Sequence, residues 1–175
     1  MTRTNAVTPI RGALKNDSTL QGSVQDGLAA VENPHKKYFS TEIRADFADS
    51  LEIDRNLRPG REQENRWDYL LGHAPSGEVI AVEPHSASQG EISTVIRKRT
   101  AAREQLREHL RDGARIAKWL WVASGKVHFV ATEKVKLQLD QNGIEFVGAA
   151  VMAKHLPTAP SSAAAAPREP GKRKR

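Results

Sequence analysis

The chain has 175 residues, no cysteine and a formal net charge of +6. That length suits one domain with a real core and is short for two. The missing cysteines exclude disulfide partners, zinc–thiolate sites, iron–sulfur clusters and cysteine nucleophiles.

No stretch approaches the roughly 18 uninterrupted apolar residues of a membrane helix, so no membrane partner is expected. Residues 1–20 mix Thr, Asn, Arg and Lys without an apolar run, which speaks against a secretory signal; a cytoplasmic location is the expectation. The charge is unevenly spread. Residues 157–175 carry Arg168, Lys172, Arg173, Lys174 and Arg175 against Glu169, and residues 1–25 carry Arg3, Arg11 and Lys15 against Asp17. The segment between them is neutral. Basic arms hold phosphate loosely, and a neutral middle gives no sign of reading nucleic acid.

Residues 1–24 lack hydrophobic periodicity and read as a flexible arm. A short helix is expected over residues 27–38, with Leu28, Val31 and Tyr38 inward. Ser50 before LEIDRNL predicts a capped short helix, stopped by Pro59-Gly60. Residues 66–71 and 78–83 read as strands joined by a turn over 73–77, an antiparallel hairpin. Residues 91–111 form the strongest helical pattern, with Ile92, Val95, Ile96, Ala102, Leu106 and Leu110 on one stripe. Ser88 and Glu91 have capping-box spacing, and Asp112-Gly113 supplies the stop. Residues 116–123 read as a buried strand, extended by 127–130 after a Ser124-Gly125 turn. A helix over 133–141, stopped by Asn142-Gly143, leads to a strand over 144–148. Residues 157–175, rich in Pro, Ala and Ser, read as a disordered tail. The whole predicts a single α/β domain over residues 25–156. Its order is helix, strand, strand, helix, strand, helix, strand, with helices flanking a mixed central sheet.

Asp68 and Glu83 lie on the two strands of the expected hairpin, with fourteen residues between them. Such a pair can hold a hard divalent cation through oxygens, and magnesium held so activates water and steadies a phosphodiester under attack. His85 lies two residues beyond Glu83 and shares its strand face if the strand continues through Pro84. This arrangement, with the element order, resembles the PD-(D/E)xK nuclease superfamily, the restriction-endonuclease-like fold. The resemblance covers residues 27–130. It implies Asp68 and Glu83 as magnesium ligands, with an acid from the first helix, Glu32 or behind it Glu42, completing the site. The family's catalytic Lys position is occupied by His85, which would orient or deprotonate water. Three departures stand: Trp67 replaces the signature Pro, His85 lacks the permanent charge of Lys, and Pro84 interrupts the motif.

Structural roles are open to the same residues. Asp68 suits a surface acid, Glu83 a cap or partner of the long helix, and His85 the turn into that helix. Trp119 and Trp121 share a strand face; apolar neighbours favour the core over base stacking. Arg99, Arg103 and Arg107, followed by Arg111, recur at four-residue intervals and make either a phosphate-contacting ridge or a solvated face neutralised by Glu104 and Glu108. Lys118 and Lys126 flank the buried strand and are further candidates for contacting nucleic acid. No phosphate-loop, dinucleotide-binding, serine-elbow or HExxH motif occurs. Two functions follow: a DNA-associated protein of nuclease-like fold acting as a magnesium-dependent phosphodiesterase, or a non-catalytic module of inactive nuclease-like fold that binds a protein or nucleic acid.

Overall fold

A computed structural model describes residues 7–128 and 132–160. Six strands form one mixed sheet whose spatial order follows the chain. They are β1 (Gln25–Asp26), β2 (Phe47–Glu52), β3 (Tyr69–His73), β4 (Glu78–Ser88), β5 (Ile116–His128) and β6 (Ile144–Gly148). The first four pair antiparallel, and β4, β5 and β6 pair parallel. Parallel neighbours need crossovers. Helix α3 (Glu91–Leu106) makes the first and α4 (Glu133–Gln141) the second; α1 (Pro9–Ala13) and α2 (Ile53–Leu57) are single turns. Among the described residues no helix is long and apolar enough to cross a membrane.

Alternation along the strands sends side chains to two cores. Leu70, Val79, Ala81, Trp119 and Trp121 meet α3 and α4 on one face. Tyr69, Leu71, Ile80, Val82, Leu120 and Val122 meet Phe39, Ile43 and Val151 on the other. Both tryptophans are core residues: Trp119 is 5% exposed and Trp121 is fully buried.

The hairpin, α4 and β6 lie where the sequence places them, although β3 begins three residues late, at Tyr69. Other elements differ. Residues 7–24 are no arm: Ile10, Leu14 and Leu20 are buried, and α1 packs on the sheet. Their apolar side chains are too few for a visible period, and only tertiary contacts order them. Residues 27–38 form turns and a 3₁₀ helix (Asn33–Tyr38), since Pro34 sits at its start. The Ser50 segment is split, with β2 running to Glu52 before α2 begins. Helix α3 stops at Leu106, not residue 111; the Arg111 amide donates instead to the Ala13 carbonyl, and Leu14 bridges Leu110. The capping box does not form, as Ser88 belongs to β4 and Gly90 caps α3. Strand β5 continues through Ser124 and Gly125 instead of turning, but its register with β4 shifts there, from His85 opposite Ala123 to Ala87 opposite Val127. Of the expected extension, residues 129 and 130 lie outside the described residues, as does the tail from residue 161.

One close approach ties α1 to the sheet. Asp49 on β2 is fully buried, and its carboxylate accepts the amides of Ile10 (3.0 Å) and Arg11 (3.2 Å). To reach them it crosses Gly72, its partner on β3, where a Cβ would lie 1.8 Å from Asp49 Oδ1. Gly72→Ala is therefore expected to destabilise the fold by about 1–3 kcal/mol in urea titration. In an Asp49→Ala background the same change should cost far less, because the clash is gone; equal costs in both backgrounds would refute this account.

Candidate functional site

Strands β3 and β4 cease to pair at Tyr69 and Val82. Beyond that point β4 keeps its ladder with β5 and has no ladder on the β3 side, so Pro84 sits where a missing N–H costs least. The chain before β3 peels away. Trp67 turns into the core, edge-on to Trp119 at 5.2 Å. Asp68, left without a strand partner, donates its amide to Glu83 Oε2 at 2.8 Å, and its carbonyl accepts from Ile53 at the start of α2. A side chain thus replaces the ladder at the one place where the sheet opens.

Glu83 is fully buried. Its other oxygen, Oε1, accepts from Lys98 Nζ on α3, and His85 Nδ1 lies 3.6 Å away. His85 Nε2 lies 2.7 Å from Glu91 Oε2 in the first turn of α3, while the indole of Trp121 donates to the His85 carbonyl. The sequence-predicted Asp68, Glu83 and His85 therefore come together. The structure adds Lys98 and Glu91, the latter read from sequence only as a capping-box residue. A readable signal did exist. The apolar stripe of α3 runs Ile92, Val95, then Ala102 and Leu106, and the inward positions between them hold Lys98 and Arg99. Two cations interrupting an apolar stripe demand buried partners. Glu83 also takes the structural role that stood open for it, as a partner of the long helix.

Electrostatics follow from the enclosure. Burial pushes the Glu83 carboxyl up to about 8; Asp68 adds to the rise and Lys98 opposes it. Burial likewise raises Asp68, again against Lys98. Among the described residues nothing donates to the Asp68 carboxylate. The Glu91 carboxyl is lowered by its bond with His85.

The other candidates do not join this cluster. Glu32 and Glu42 are both exposed. Glu32 donates its amide to the Tyr69 hydroxyl, which also meets His35 Nδ1 at 2.6 Å. Tyr69 belongs to the opposite core, so Glu32 stands across the sheet from Lys98. Among the described residues no three acids or histidines gather as a metal cage. Lys118 is committed to the His155 carbonyl (2.9 Å) and Glu145 (3.5 Å), and Lys126 is exposed at the far end of β5. Arg99, Arg103 and Arg107 line a separate groove of about 540 Å³. The expected nucleic-acid contacts are therefore not one surface.

No family model, curated protein or solved structure matches this chain. What the site can do rests on its own chemistry.

Because Glu83 titrates near 8 when folded and near 4.5 when free, the folded chain keeps a proton that the unfolded chain has released between those values. Stability tied to this group is thus fully present below about pH 4.5 and is lost as pH rises through about 8. Glu83→Gln should flatten the decline of Tm across that window; a slope identical to wild type would show that Glu83 does not titrate there.

Proposed function

We propose that this chain is a divalent-metal-dependent phosphodiesterase acting on DNA, with a restriction-endonuclease-like fold. Asp68 and Glu83 are its metal-holding acids, and Lys98 supplies the ammonium that the motif position held by His85 lacks. The observation that carries this reading is the meeting of Lys98 with Glu83 beside Asp68, at the point where β3 and β4 separate.

The donor set fits magnesium, which commonly takes one or two protein carboxylates and fills its shell with water and substrate oxygens. Each Glu83 oxygen retains a lone pair beyond its present bond, and the Asp68 carboxylate is open. Burial is what raises both carboxyls, with Asp68 adding to the rise of Glu83, and a bound cation would offset that cost. A metal bound there would polarise a phosphodiester and lower the pKa of bound water. Lys98, 17% exposed, orients Glu83 and offers a donor to developing negative charge. His85, anchored by Glu91, stands at the rim and would orient water.

A second reading, an interaction module on an inactive nuclease-like frame, draws on one observation: Glu83 is wholly enclosed, and its pair with Lys98 also fastens α3 to the sheet. Calorimetry separates the two. Saturable manganese binding, lost in an Asp68→Ala/Glu83→Ala variant, supports the enzyme; no binding by folded wild type, together with no cleavage of single-stranded, duplex or branched DNA, sinks it. In the enzyme, Asp68→Ala should abolish cleavage and Lys98→Met should slow it by about 10²–10³.

A further inference from the structure

The two cations that interrupt the apolar stripe of α3 diverge. Lys98 turns to β4 and Glu83, whereas Arg99 turns to β5, its guanidinium 5.4 Å from the centre of the Trp119 ring. It also presses on Gly143, where a Cβ would lie 2.7 Å from an Arg99 terminal nitrogen. Arg99 opens a groove of about 540 Å³ between α3 and the start of β5, whose lining includes Arg103, Arg107, Arg111 and Arg115.

Two acids, Glu104 and Asp112, face five arginines in this lining. Glu108, which the sequence offers as a neutralising neighbour, pairs with Arg61 at 3.2 Å instead. Glu104 pairs with Arg107 at 3.0 Å, and Arg115 lies 3.8 Å from Glu78. Arg111 is spent on the Leu14 carbonyl and Asn16. That leaves Arg99 and Arg103. Arg99 Nε is buried with no acceptor, and Arg103 has no hydrogen bond or ion pair among the described residues. Two like charges one helical turn apart, one of them partly desolvated, are unfavourable unless an anion lies between them.

We propose that this groove binds the phosphate backbone of a single nucleic-acid strand, with Arg99 and Arg103 as its principal contacts. Successive arginines four residues apart rise about 6 Å along a helix, close to the separation of neighbouring phosphates on a strand. Guanidinium forks match phosphate oxygens two at a time. Trp119 is nearly buried beneath Arg99, so it stacks the guanidinium and not a base, and the contact is to backbone without sequence preference. The binding does not depend on the acidic centre being catalytic.

The test is fluorescence anisotropy of a short labelled oligothymidylate with the full chain in EDTA, so that no metal-dependent step contributes. Exposed Arg103→Glu should weaken binding about tenfold and lower the slope of log affinity against log salt by about 1. Lys37→Glu, exposed on the opposite face beside Tyr38, should leave both near wild type. Unchanged binding by Arg103→Glu overturns the proposal. So does an equal loss in Lys37→Glu, which would mean diffuse attraction, or displacement by polyglutamate as effective as by unlabelled oligonucleotide, which would point to an acidic protein. Failure here leaves manganese binding at Asp68 and Glu83 untouched, and the reverse also holds.

Discussion

The Glu83 carboxyl group, itself fully buried, takes the Asp68 amide on one oxygen and meets Lys98 Nζ on the other. Much of the structure answers to that arrangement. A buried polar group left without its partner costs about 1–3 kcal/mol, so the end of β3, the path of Trp67 and the seat of α3 are bound together. Because a side chain replaces main-chain pairing here, the sheet opens at the same point where its acids gather.

Helix α3 is the element that divides the molecule chemically. Its apolar residues cover one sheet face, and its neighbouring cations Lys98 and Arg99 point about a quarter-turn apart, as helical geometry requires. One is matched by a buried acid on β4. The other rests on an aromatic ring and has no acid. The same short stretch of helix thus builds a neutralised centre and an uncompensated groove side by side.

The N-terminal segment closes the far end. Asp49 reaches through the space left by Gly72 to hold α1, and residues 13–15 then bond to residues 109–111, where they end α3. The groove arginines therefore keep their places partly through residues that look featureless in sequence. Arg111 lines the groove but is fastened to Leu14 and Asn16, which leaves Arg99 and Arg103 as its open cations.

Periodicity alone determined the hairpin, the long helix, α4, β6 and the burial of Trp119 and Trp121, because each repeats a local pattern over enough residues to outweigh chance. The meeting of Asp68, Glu83 and His85 was legible from the expected hairpin, although Asp68 falls one residue before β3. Only the tertiary structure decided the rest. Strand β1 and helix α1 are too short for a period and are ordered by distant partners, and β2 takes up part of the segment whose local pattern reads as a helix. Lys98 joins Glu83 across fifteen positions through a crossover whose landing no local spacing reveals. Whether an arginine is neutralised depends on which way its neighbouring acids turn, and Glu108 turned to Arg61, a residue 47 positions away. Charge and pattern are properties of the chain; the pairing of charges belongs to the fold, because it is set by distances that only packing creates.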